Sequence, residues 1–317
     1  MPPRGVPQGV LRPRLPKCAQ GGGDHRLRAW AGLMSPSVLE LELAASRARR
    51  LVLRMLEAHP AGHVGGALSA IDLVEAIYRT AMRLTVPGLA APDRDRFLLS
   101  AGHKALAQYA VLAETGLIPT DVLDSYGRTG SAVPGHPDMH KLPGVEANTG
   151  ALGHGLAIAC GMALGARLSG FGSRVFVVMG DGELPEGSNW EGAAIAAHHR
   201  LDHLAVFVDA NGLQISGPTR EVMGMESISA KFDAFGWATT ELDGNDMASI
   251  VRVLDELPLT PGRPSAIIAR TVKGRGIPSI EGTVASHYWK PSAAELAAAI
   301  EYCEDTTRRL EALVAAS

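Results

Sequence analysis

The sequence predicts an α/β fold, an open parallel sheet with helices on both faces. Two observations carry that prediction. The short β-rich runs RVFVVMG (174–180), LAVFVDA (204–210) and PSAIIART (264–271) are nearly continuous in apolar residues, as strands covered on both faces must be. Helical stretches separate them, and strands alternating with helices imply βαβ units around a buried parallel sheet.

The elements follow in order. From Ser37, VLELELAASRARRLVLRMLEAH places Leu39, Leu43, Ala44, Arg47 and Leu51 at helical spacing, with Ser37 as N-cap. AGHVGGALSAIDLVEAIYRTAMRL is a Gly-rich break followed by a second helix. DRFLLSAGHKALAQYAVLAETG gives a strand over 96–99, a Ser-Ala-Gly-His turn and a third helix closed by Gly116. Residues 127–150 are irregular and rich in Gly and Pro. TGALGHGLAIACGMALGARL is a small-residue helix suited to close packing on a sheet, and a further helical segment spans about 186–200. After Lys290, 27 residues read as one or two amphipathic helices.

Composition narrows the function classes. At 317 residues the chain has room for a substantial core. Its 30 Lys and Arg against 33 Asp and Glu give a net charge of −3, with no electrostatic footprint for nucleic acid. No uncharged apolar run reaches the 18 or so residues that span a bilayer, so no membrane association is expected. Three cysteines, Cys18, Cys160 and Cys303, form no closed disulfide set and sit at no metal-ligand spacing. A reducing, cytoplasmic setting is the expectation. Residues 1–34 carry five prolines in their first 16 positions and six Lys or Arg against one acid, Asp24. They read as a disordered leader, or as sequence upstream of a true start at Met34.

The chemistry concentrates in VVMGDGELPEGSNWEGAAIAAHHRLDHLAVFVDANGLQISG. Gly180-Asp181-Gly182 follows one strand, and Asn211 and Leu213 follow the next, 30 and 32 residues beyond Asp181. Ligands of open α/β sheets bind outside the carboxyl ends of the strands, which places both clusters on one rim. Gly180 and Gly182 permit close backbone approach by an anion. Asp181 and the Asn211 side-chain oxygen are hard ligands of the kind Mg²⁺ takes beside phosphate oxygens. Residue chemistry alone predicts a diphosphate held through Mg²⁺.

This spacing resembles the thiamine diphosphate fingerprint, and residues 37–290 are similar to the N-terminal half of transketolase. The resemblance implies a diphosphate-binding (PP-type) domain over 35–290, followed by a helical segment over 291–317. It assigns Asp181, Asn211 and the Leu213 carbonyl to the metal. Four histidines in Gly-rich turns strengthen it: His63 in AGHVGG, His103 in SAGHKA, His136 in PGHPD and His287 in ASHYW. The resemblance puts His63, His103 and His287 near the cofactor diphosphate or the substrate, and His136 at the sugar hydroxyls. Histidine suits such roles because it titrates near neutrality. NTGALGHGLA resembles the family loop that passes the cofactor, which implies a cofactor contact for Gly153. Glu186 and Glu191 in PEGSNWE stand at a helix start, where acids are favourable in any case; the resemblance adds a shared-proton network that links two active sites across a subunit interface.

Departures from the family pattern occur at Ala151, His154 and Ala210, and at the Ser-His-Tyr-Trp segment around His287. The last leaves the identity of the sugars open. Lys273 reads either as a phosphate contact or as an exposed basic loop residue. His198, His199 and His203 read as solvated surface. The 27 residues after Lys290 are too few for a further domain, which needs about 50. The family's pyrimidine-binding domain, with its activating Glu, is therefore expected on a second chain, in a heterotetramer. The implied function is transfer of a two-carbon ketol unit between sugar phosphates through thiamine diphosphate and Mg²⁺. The alternatives are a subunit of a deoxyxylulose-phosphate synthase-like or ketoacid dehydrogenase E1-like enzyme, or a non-catalytic regulatory subunit.

Overall fold

A computed structural model describes residues 36–84 and 87–317; the expected leader over 1–34 lies outside the described residues. The chain enters through helix α1 (Val38–Ala58), closed at its start by a reciprocal capping box. Ser37 Oγ accepts from the Glu40 N–H at 3.2 Å, and the Ser37 N–H donates to Glu40 Oε2 at 2.6 Å. Helix α2 (Val64–Ala76) already includes Gly65 and Gly66, so the expected Gly-rich break is the first turn of the helix itself. Packing explains it, because a Cβ at Gly65 would lie 2.3 Å from Ser286 Oγ. The helix widens into a π turn over Ile77–Ala81.

Strand β1 (Arg96–Leu99), helix α3 (Ala105–Glu114), helix α4 (Gly155–Leu168) and strand β2 (Val175–Gly180) follow. Helix α5 (Gly187–His198) returns the chain to strand β3 (Leu204–Ala210). Helices α6 (Thr219–Met223) and α7 (Ile228–Ala234) precede strand β4 (Ala238–Asp243), then come helix α8 (Met247–Asp255), strand β5 (Ser265–Arg270) and helix α9 (Ala293–Ala316). The sheet is parallel throughout, in the order β1-β2-β3-β5-β4.

Alternate strand residues feed two separate cores. Phe97, Phe176, Val178, Phe207 and Ile267 point to the layer built from α1, α2, α3 and α8. Leu98, Val177, Met179, Val206, Val208 and Ile268 point to the layer built from α4, α5 and α7. The open parallel sheet with helices on both faces is therefore the observed architecture. The sequence pattern does not mark strand β4, for a physical reason. It is an edge strand whose Thr239, Thr240 and Glu241 are partly or fully exposed, so it lacks the continuous apolar run that marks its neighbours.

Helix α9 lies along α1. Ala299 and Cys303 are buried, and Ser46 and Thr307 hydroxyls meet at 2.8 Å. Arg47–Glu311 and Arg50–Glu304 pairs edge the contact, but such solvent-facing pairs contribute little, and apolar burial holds the helices together. Cys160 and Cys303 are free and buried. Among the described residues no helix is long and apolar enough to cross a membrane.

Candidate active site

The carboxyl ends of β1, β2, β3 and β5 open into one cleft of ≈ 260 Å³, lined among others by His63, His103, Asp181, Asn211, Lys273 and His287. Strand geometry delivers these residues. β2 ends at Gly180, and Asp181 begins a tight 3₁₀ turn. There its Oδ1 accepts from the Gly182 N–H at 2.8 Å, and its Oδ2 from the Gly212 N–H at 2.7 Å. The second bond ties the β2 turn to the β3 turn. Asn211 Oδ1 accepts from the Leu213 N–H at 3.2 Å, while Asn211 Nδ2 points down toward Asp209 Oδ2 at 3.3 Å. The Leu213 carbonyl accepts from Lys273 Nζ at 2.7 Å. The structure thus gathers Asp181, Asn211 and Leu213 in one place.

Beneath them lies a buried ion pair that the sequence reasoning misses. Asp209 is 0% and Lys104 2% exposed, with Lys104 Nζ 2.5 Å from Asp209 Oδ2. Ser69 Oγ donates to the same oxygen at 2.6 Å, and Thr271 Oγ1 donates to Asp209 Oδ1. The signal is present in LAVFVDA: a carboxylate within a fully buried strand must find partners. Glu183 is a second residue missed in this way. It is buried, and its Oε1 accepts from Ser100 Oγ at 2.5 Å and from the Gly153 N–H at 2.9 Å. Gly153 is held there with φ +87, and a Cβ would collide with Glu186 Cβ at 2.5 Å.

The charges of the cleft are mutually perturbed. Burial, reinforced by the negative charge of Asp209, pushes the Asp181 carboxyl up to about 6 against the pull of Lys104. Burial and then Lys104 bring the Lys273 ammonium down to about 8, with Asp181 and Asp209 opposing. Lys273 is 3% exposed, which excludes the exposed-loop reading of it.

The four histidines converge on His63. Its ring centroid lies 5.4 Å from His103, 5.3 Å from His287 and 6.0 Å from His136. His103 and His287 stack at 5.6 Å. Lys273 Nζ approaches His287 Nδ1 at 3.1 Å. Burial and then the positive charge of Lys273 hold His287 down at about 4. Burial, followed by Lys104 and the neighbouring rings, depresses His103 as well, and burial lowers His63. At neutral pH these three imidazoles are uncharged and able both to donate and to accept.

Other expected residues stand elsewhere. Glu186 and Glu191 are exposed at the start of α5 and do not line the cleft; Glu183 is the acid of that segment that does. His154 is exposed at the start of α4, its Nδ1 3.2 Å from the Leu152 carbonyl. His198 and His199 are exposed, whereas His203 is half-buried and bonds the Ala163 carbonyl at 2.9 Å. The solvated-surface expectation is thus corrected for His203, which ties the start of β3 to α4.

The donor set suits a diphosphate with a divalent metal. Among the described residues no group of three or more His, Cys, Asp or Glu could hold a metal ion unaided. Asp181, Asn211 and the Leu213 carbonyl would fill only part of the octahedral shell that Mg²⁺ demands, which would leave positions for phosphate oxygens. The Gln214 side-chain nitrogen lines the same cleft, buried and without a partner, so an acceptor is needed there.

Comparison with known proteins agrees with this geometry. The family described as "Transketolase, thiamine diphosphate binding domain" matches residues 41–303. An apulose-4-phosphate transketolase subunit from Actinobacillus succinogenes is 42% identical over 84% of this chain and 96% of that protein. A 6-deoxy-6-sulfo-D-fructose transketolase subunit of a Clostridium species is 38% identical over 83% of this chain and 98% of its own length. Among solved structures, a transketolase from Pichia stipitis superposes with a TM-score of 0.75 at 27% identity, covering 88% of this chain and 46% of that one. The transketolase of Leishmania mexicana gives 0.74 at 28% identity, with 89% and 47% covered. The chain spans about half the length of the solved transketolases it matches.

Proposed function

Because this chain belongs to the transketolase family, whose thiamine diphosphate-binding domain it carries, we propose that it is the diphosphate-binding subunit of a two-chain transketolase. The reaction is transfer of a two-carbon ketol unit from a ketose to an aldose. The observation that carries the reading is the convergence, in one cleft, of Asp181, Asn211 and Leu213 with Lys273 and the histidines His63, His103 and His287, with His136 against His63.

Asp181, Asn211 Oδ1 and the Leu213 carbonyl would hold Mg²⁺, and Lys273 and Gln214 would supply positive charge and a hydrogen-bond donor to the diphosphate. When bound, thiamine diphosphate supplies the electron sink for breaking the ketose C2–C3 bond. The chain's own contribution is positioning and proton handling. His63, His103 and His287, uncharged at neutral pH, accept from or donate to substrate hydroxyls, and His136 closes the same cluster.

A second chain carrying the pyrimidine-binding domain completes the site, in a heterotetramer. Two of the relatives are named as subunits, which supports a divided site. Those relatives are named for a sugar phosphate and a sulfonated sugar, so the substrates are anionic sugars. Among the described residues the thiols of Cys160 and Cys303 are free and buried, which suits a cytoplasmic setting. The test is co-purification with the product of the neighbouring open reading frame and an assay of ketol transfer with thiamine diphosphate and Mg²⁺. Activity is expected only from the two chains together. Full transketolase activity from the isolated chain would refute the division of the site.

A further inference from the structure

We propose that Tyr288 and Lys290 form a substrate-recognition rim on the histidine cleft, reading the end of the sugar away from its reacting carbons. The rim takes a polyol chain across the Tyr288 ring and an anionic terminus at the Lys290 ammonium. This rests on the transketolase reading above.

The backbone fixes the rim in place. Gly62 and Trp289 form a reciprocal antiparallel bridge, with the Gly62 N–H donating to the Trp289 carbonyl at 3.2 Å and the Trp289 N–H to the Gly62 carbonyl at 2.9 Å. Trp289 is buried and anchors the segment. The bridge sets Tyr288 beside His63, one residue beyond Gly62. Their rings meet edge-on, with centroids 4.9 Å apart. His63 is the ring that touches all three other cleft histidines, so Tyr288 borders the cluster directly.

Tyr288 is nonetheless 44% exposed. A partly exposed aromatic ring against a cleft-lining histidine offers an apolar surface to sugar carbons and a phenol to hydroxyls. Lys290 Nζ stands 5.5 Å from that ring's centroid, within cation–π range. Among the described residues Lys290 makes no ion pair. The cation of the cleft interior, Lys273, stands against the Leu213 carbonyl and His287. Lys290 is thus a second positive charge, without an acidic partner among the described residues, one ring further out from His63.

The test uses the assembled two-chain enzyme and its Tyr288→Ala, Tyr288→Phe and Lys290→Gln variants. Glycolaldehyde, D-glyceraldehyde and D-glyceraldehyde 3-phosphate serve as acceptors. Tyr288→Ala should lower kcat/KM for the three-carbon acceptors relative to glycolaldehyde, chiefly through KM, and Tyr288→Phe should restore most of that ratio. Lys290→Gln should lower the preference for the phosphorylated over the neutral three-carbon acceptor about three- to tenfold. Ratios unchanged in both variants would overturn the rim, because a merely structural role shifts all acceptors alike. Calorimetric titration of ribitol 5-phosphate and ribitol into the same complexes needs no turnover. Loss of the phosphorylated polyol's advantage in Lys290→Gln is the expected result, and an undiminished advantage overturns the rim. A wild-type complex inactive on every acceptor would sink the transketolase reading, while the titration would still decide the rim.

Discussion

The Lys104–Asp209 pair gives the sharpest quantitative expectation, because its two members are unequally supported. Asp209 accepts from Ser69, Thr271 and Asn211 as well as from Lys104, whereas Asp209 is the partner Lys104 Nζ has. Removing one member of a buried pair costs about 3–5 kcal/mol. Lys104→Met leaves a carboxylate with three remaining donors and should fall near 3 kcal/mol on that scale, whereas Asp209→Asn leaves an ammonium facing a neutral amide and should fall nearer 5 kcal/mol. The double variant Lys104→Met/Asp209→Asn removes both charges and keeps an amide for the hydroxyl donors. It should cost well under the sum, a coupling on the order of 2–3 kcal/mol. Urea unfolding of the chain at pH 7 measures all three differences, provided the m-values agree. With about 2–4 °C per kcal/mol for a large domain, Lys104→Met should lower Tm by roughly 6–12 °C. A loss below about 1 kcal/mol for Lys104→Met, or strict additivity in the double variant, would refute the claim that this pair holds the cleft floor.

Two further outcomes follow from the same geometry. His287 is held at about 4 in the native chain, while the unfolded chain protonates it near 6.5. Between those values the unfolded state binds the extra proton, so this contribution to stability is present above pH 6.5 and is lost as pH falls toward 4. His287→Gln should therefore lose less stability than wild type between pH 7 and pH 5 in parallel urea titrations; equal losses would contradict the assignment. Gly65→Ala should destabilise the chain by about 1–3 kcal/mol through overpacking, since its Cβ would fall 2.3 Å from Ser286 Oγ and 2.8 Å from the Ser286 carbonyl oxygen. An unchanged melting temperature would show that the Val284–Tyr288 turn yields freely.

Several features are legible before any coordinates. The apolar runs at 174–180 and 204–210 announce strands buried on both faces, and the alternation of helix and strand announces their parallel pairing. The GDG and Asn-Gly turns, 30 residues apart, announce a shared rim, because successive parallel strands end on the same side. Ser37, ahead of the first helical spacing, announces the start of the first helix.

Tertiary structure decided the rest. Periodicity cannot show which strand lies at an edge, so β4, between Gly236 and Asn245, carries no signal until β5 is seen inserted between it and β3. Glu186 and Glu191 of PEGSNWE, expected in a network across a subunit interface, are exposed on the single chain, and Glu183, which no local pattern singles out, is the acid of that segment that lines the cleft. Lys104 and Asp209 lie 105 residues apart and meet only because β1 and β3 end on the same rim. The sequence by itself determined which chemistry the chain could hold, since that depends on residue types at strand ends. Which charges neutralise one another, and which ring borders the cleft, depended on long-range packing that no local pattern encodes.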